Sequence, residues 1–158
     1  MTDDHARLFH YTLASCLGGI LSAGKLVPAP EPLRRVRPVV FLSYHHDWDP
    51  FCPDMLHAHP TYPPIADRRE LVHAAGGVAR VGGGLARIEV DPQAAPHGWA
   101  DYRRMSRQPN DVLRKLAQFA AKYGSDLRQW RVSFEPIGQE LWRVVEIDEG
   151  EGWQPFPV

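Results

Sequence analysis

The chain has 158 residues, with 18 Lys and Arg against 19 Asp and Glu, a formal charge of -1. Near-neutrality excludes a protein held to nucleic acid by bulk charge, though not a local basic patch. A hydrophobic content of 44% and a charged content of 23% exclude a disordered chain, and 158 residues suit one domain, residues 1–158, with a core that needs no cross-links.

Two cysteines, Cys16 and Cys52, are too few for a secreted disulfide framework and point to a reducing, cytoplasmic setting. No apolar run approaches the ~20 residues of a bilayer span, so no membrane partner is expected. The acidic start Met1-Thr2-Asp3-Asp4 does not read as a signal peptide. Fifteen prolines predict short elements joined by firm turns.

Leu8-Phe9-His10-Tyr11 reads as a strand, with Thr12 as the cap of a helix whose Leu13, Leu17, Ile20 and Leu21 recur at helical spacing and whose stop is Gly24. Gly18 and Gly19 weaken that helix but let a backbone come close to it. Residues 28–38 hold four prolines and three arginines, a loop. Val39 to Ser43 is a buried strand. Tyr44 to Pro64 is a long polar loop of the kind that carries function.

Glu70 to Ala75 reads as a short helix. Val78–Val81 and Leu85–Val90 flank Gly82-Gly83-Gly84 as a hairpin. Trp99 to Arg104 is helical. Asn110 caps the best helix, with a stripe of Val112, Leu113, Leu116, Phe119, Ala120 and Tyr123 and a stop at Gly124. Trp130–Phe134 and Trp142–Ile147 are strands, and Trp153–Val158 an irregular cover. Strands and helices do not alternate regularly, which makes the class α+β.

Several patterns bear on chemistry. The triple glycine is followed by a strand and by no Lys-Ser/Thr, so it is a turn rather than a phosphate cradle. The run His45, His46, Asp47, Asp49, Cys52, Asp54, His57, His59 holds ligand types for zinc. It lacks helical spacing and any CxxC, so solvated loop side chains are the plainer reading and a metal-dependent hydrolase an alternative. Ser43 follows a strand but has no G-x-S-x-G turn. Arg80 and Arg87 sit on strands, where they either touch phosphate or face solvent. The Trp99, Tyr102, Arg103, Arg104 cluster reads as packing under a helix, with stacking on nucleic acid as the alternative.

His10-Tyr11-Thr12 and Ser43-Tyr44 both lie where strands give way to connections. The run Leu8-Phe9-His10-Tyr11-Thr12, continued by Ile20-Leu21-Ser22-Ala23-Gly24-Lys25-Leu26, resembles the opening of ADP-ribosyltransferases of the diphtheria-toxin and poly(ADP-ribose)-polymerase type. Val40 to Tyr44 is similar to that family's second strand, with its Tyr 34 positions after the His. Trp130 to Ile137 resembles the strand that follows the family's catalytic Glu.

The resemblance implies a single ADP-ribosyltransferase-like domain of split antiparallel β-sheets with flanking helices. It implies NAD as co-substrate and transfer of ADP-ribose to a protein, DNA, RNA or small-molecule acceptor. A toxin or defence effector is the role it suggests, with an antitoxin or regulatory protein as a further expected partner. It implies His10 on a ribose hydroxyl, Tyr44 stacked on nicotinamide, Tyr11 and Thr12 at the entrance, and Gly19 and Ser43 near the cofactor. The third catalytic position falls on Gln129, where the family often has Glu. Glu135 and Glu89 are the other acids to consider. The missing clear Glu leaves a non-catalytic nucleotide- or protein-binding module as an alternative.

Overall fold

A computed structural model describes residues 6–46, 85–149 and 151–158. The expectations for residues 47–84, among them the Glu70 helix, the Val78 strand, the triple glycine, Arg80, Cys52 and most of the His/Asp run, lie outside the described residues.

The first strand, β1 (Leu8–Leu13), runs two residues further than its apolar start suggested and is buried throughout. Thr12 is therefore strand, not cap. Helix α1 (Ala14–Ala23) follows directly, with Leu13 before it and no side chain capping it. Gly24 ends the helix in the left-handed region (φ 66), its N–H donating to Ile20 and Leu21, a geometry that costs a Cβ-bearing residue strain. Then come β2 (Lys25–Leu26), β3 (Val40–Ser43) and β4 (Leu85–Val90). The 28–38 segment contains no helix or strand, as its prolines indicate.

After β4 a helical turn leads to β5 (His97–Gly98) and α2 (Trp99–Met105). Helix α3 (Asn110–Tyr123) begins at Asn110 itself; Pro109 precedes it and no side chain caps it. Gly124 stops it at φ 78. The chain closes with β6 (Trp130–Ser133), β7 (Ile137–Gly138), β8 (Trp142–Asp148) and β9 (Gln154–Pro155). The tail thus supplies an edge strand where an irregular cover was expected.

The protein is α+β: among the described residues, three α-helices flank an antiparallel sheet of seven strands in the order β5-β6-β3-β1-β4-β8-β9, and β2 pairs with β7 in a separate ribbon. Both edges of β4 are occupied, by β1 and by β8, each along its whole length. Its neighbours therefore come from near the two ends of the chain.

Period-2 alternation sorts the side chains onto two faces. One face carries Leu8, His10 and Thr12 of β1, opposite Val90, Ile88 and Ala86 of β4. Its core includes Leu17 of α1, Val40, Leu42, Ile88 and Val145. The other face packs Phe41, Trp130 and Val132 against Tyr102 of α2 and Leu113 and Ala120 of α3. Phe41 meets Tyr102 and Trp130 edge-on at 5.2 and 5.8 Å between ring centres, a favoured aromatic geometry. β1 and β4 are buried on both sides, and their polar residues His10, Thr12, Arg87 and Glu89 are buried with them.

Candidate functional site

The pair Phe9–Ser43 joins β1 to β3. Antiparallel pairing then sets Leu8 opposite Tyr44 and His10 opposite Leu42, so His10 and Tyr44 share a face, diagonal neighbours at about 7–8 Å. Beyond that bridge the seam is completed by a side chain. His10 Nδ1 lies 2.9 Å from the Phe41 carbonyl oxygen. A carbonyl only accepts, so Nδ1 carries the proton, and the neutral ring has its acceptor at Nε2. The ring is 7% exposed. Its Nδ1 is committed to backbone.

Tyr44 is half-buried against the Leu8–Leu17–Leu42 core. Its N–H donates to the Gln129 carbonyl at 2.9 Å, which extends the β3–β6 ladder one step past its Ser43–Trp130 pair. Gln129 ends a helical turn, Leu127–Gln129, that Asp126 caps by accepting from the Arg128 N–H at 2.9 Å. Arg128 donates to the same carboxylate and holds it below the ordinary carboxylate range. By register Gln129 shares the face of His10 and Tyr44. The Tyr44 hydroxyl and the Gln129 amide make no hydrogen bond with the described residues.

The remaining candidates separate. Thr12 lies on the His10 face but is buried, between Ala86 and the start of β3. Gly18 and Gly19 are exposed on α1, and a Cβ at either would meet nothing within 4 Å. Glu135 is exposed at a bend beyond the far end of β6 from Gln129, and is not brought to Tyr44.

Three expectations need correction. Tyr11 does not line an entrance. Alternation turns it to the opposite face, fully buried, where its hydroxyl donates to the His45 carbonyl and its ring lies near Phe9 and Trp153. Ser43 also faces away from His10; it is buried and its Oγ accepts from the His45 N–H at 3.2 Å. Glu89 stands opposite Phe9 on that same far face, bound to Arg7 at 2.7 Å.

Arg87 is corrected as well, being neither solvated nor offered to a phosphate. It is 5% exposed and clamped between the Phe9 and Trp153 rings, 4.3 Å from each centre. Its Nε donates to Glu146 at 2.6 Å and its Nη1 to the His46 carbonyl. Arg7, raised above its ordinary value chiefly by its hydrogen bond to Glu89, completes a network of two cations and two anions in which Arg87 is buried and Arg7 reaches the surface. Sequence reading missed this network. The available signal was Arg87 and Glu89 two apart on one strand, which places both on one face.

Grooves formed by described residues include one of about 300 Å³ between β8 and the tail and one of about 420 Å³ between α2 and α3. Neither is lined by His10 or Tyr44. Among the described residues no cluster of three His, Cys, Asp or Glu side chains is placed to hold a metal, and no helix is long and apolar enough to cross a membrane. Comparison with protein-family models, curated proteins and solved structures finds no match.

Proposed function

We propose that the protein is an NAD-dependent ADP-ribosyltransferase working in the cytoplasm, with His10, Tyr44 and Gln129 as the residues that grip the nicotinamide end of NAD. The observation that carries this reading is the fixed tautomer of His10, whose Nδ1 is committed to the Phe41 carbonyl on a central, rigid strand. A neutral ring held this way accepts a hydrogen bond from a ribose hydroxyl at Nε2. Tyr44, on the same face, offers a ring for the nicotinamide to stack on. Gln129, across the ladder from Tyr44, offers an amide to a ribose hydroxyl.

In the reaction the C1′–N bond breaks and nicotinamide leaves with the electron pair. Positive charge spreads over the ribose as it does in glycoside hydrolysis. The acceptor then forms the new bond to C1′ and loses a proton. An amide at position 129 orients the sugar but supplies neither a counter-charge nor a base. This chemistry therefore suits an acceptor that brings its own nucleophile. The deciding experiment follows nicotinamide release from NAD by the whole protein, together with NAD binding by calorimetry. Release that depends on His10 supports the reading; absence of both binding and release, with cell extract supplied as acceptor, overturns it.

A specific observation favours a second reading. Glu89 and Glu146 sit on the far face and Glu135 is exposed past the end of β6, so none of these three carboxylates joins His10 and Tyr44. A module that binds NAD without cleaving it would need none. NAD binding with no nicotinamide release would select it.

A further inference from the structure

The groove of about 420 Å³ between α2 and α3 is lined by Trp99, Arg103, Asn110, Leu113, Arg114 and Ala117. It lies in the helical layer that covers the sheet face opposite His10. The core beneath fixes its floor. Leu113 is buried, and Trp99 is pinned between Tyr102, 5.6 Å away, and Trp130, which it meets edge-on at 5.8 Å. Trp99 is itself half-buried, so part of its indole faces the groove.

The rim is cationic and uncommitted. Arg103 and Arg114 are exposed and make no hydrogen bond or ion pair with the described residues. By contrast, neighbouring Arg104 is tied to Asp101 at 2.9 Å. Residues 99–122 contain six Lys and Arg against Asp101 and Asp111, in a chain whose formal charge is -1. Positive charge is thus gathered on this one layer. Exposed Arg107 and Lys115 carry it beyond the groove itself.

We infer that this groove docks single-stranded nucleic acid, with Trp99 as a platform for an unpaired base and Arg103 and Arg114 on backbone phosphates. An aromatic ring in a groove takes a base by its π-face, which a duplex does not offer. Guanidinium forks pair with phosphate oxygens in bidentate fashion. A free mononucleotide would fill the groove but leave the flanking cations unused; a strand engages both. The inference is independent of the NAD reading, because it uses neither His10 nor its face of the sheet.

The test is fluorescence anisotropy of labelled oligo-dT and oligo-U of about twelve nucleotides, a length that spans such a site, titrated with the whole protein. The two strands distinguish DNA from RNA. Tighter binding of either strand than of a duplex of equal length is expected. With two phosphates engaged, the log of the affinity should fall against log salt with a slope of about -1.4. Tryptophan emission should be quenched on binding in the native protein and not in Trp99→Phe, which keeps the ring contacts below.

Arg103→Glu with Arg114→Glu should weaken binding at least about tenfold and leave the unfolding temperature unchanged. Arg34→Glu with Arg35→Glu, exposed in the 28–38 loop, should stay within about twofold of the native protein. Overturning results are no binding, equal binding of duplex, equal loss in the two charge-reversed proteins, or displacement of the strand by an acidic polypeptide at comparable concentration, which would identify an acidic protein as the occupant.

Discussion

His10 Nδ1 sits 2.9 Å from the carbonyl oxygen of Phe41, a residue 31 positions later in the chain. The bond occupies the seam between β1 and β3 just past their bridge pair. It joins the imidazole to the backbone of the strand that carries Tyr44, so displacing one displaces the other.

That bond separates structural from chemical loss. In His10→Asn the amide N–H takes the place of Nδ1 and keeps the Phe41 carbonyl paired, while no acceptor remains at the Nε2 position. We expect this variant to unfold near the native temperature and to release nicotinamide at least about a hundredfold more slowly. His10→Ala should lose activity and also about 1–3 kcal/mol of stability through the orphaned carbonyl. Thermal unfolding beside the nicotinamide assay checks both.

Tyr44 acts through its ring, so Tyr44→Phe should keep KM for NAD within about threefold. Tyr44→Ala should raise it tenfold or more, given the ~1–3 kcal/mol of a lost stack. Steady-state kinetics with circular dichroism as a folding check decides the matter. Equal KM for the two variants would remove Tyr44 from the site.

Arg87 makes a different forecast. Truncating it removes the shorter of the two ion pairs of Glu146 and leaves that carboxylate only Arg7 at 3.9 Å, and breaking a buried pair costs about 3–5 kcal/mol. Arg87→Met combined with Glu146→Leu should recover much of that loss, since the apolar replacements fill the space without a lone charge. Urea unfolding of the two single variants and the double variant measures the coupling.

The helix α1 glycines should behave in opposite ways. Gly24 holds φ 66, so Gly24→Ala should cost about 1 kcal/mol. Gly18 is helical and has open space where a Cβ would go, so Gly18→Ala should gain about 0.5–1 kcal/mol. Denaturant midpoints at constant m report each change.

The acid side of the stability profile follows from Asp91, Asp101 and Asp126. Each carboxyl is held below its ordinary value by hydrogen bonds: Asp91 chiefly from the Gln93 N–H, Asp101 from Arg104, Asp126 from Arg128. A depressed folded value means their stabilisation is complete above the unfolded value of about 3.9 and disappears as pH falls through the lower folded values. Urea midpoints should therefore be flat near neutrality and drop below about pH 4. The drop should be shallower in Asp126→Asn.

Much of this architecture was legible in the residues, and the failures share a cause. Leu85–Val90 was read to its exact ends, and Gly24 and Gly124 marked the helix stops, because alternation and left-handed glycines are local signals. The caps at Thr12 and Asn110 were misplaced because a capping side chain is indistinguishable in sequence from the last residue of a strand or the first of a helix. The family resemblance puts Tyr11 and Ser43 at the site beside their sequence neighbours His10 and Tyr44. In an extended strand adjacency means opposite faces, and register alone shows which residues meet. Gln129 is a candidate only through the family resemblance, and its pairing with Tyr44 across the sheet lies in no local pattern.

Arg7 pairs with Glu89, Trp153 stacks on Arg87, two residues before Glu89 in β4, and β8 supplies the whole of one flank of β4. A chain emerging from the ribosome therefore leaves one flank of β4 uncovered until residues 142–148 have been made. Until then its middle strand stands with an open edge, the state in which a nascent protein most needs a chaperone.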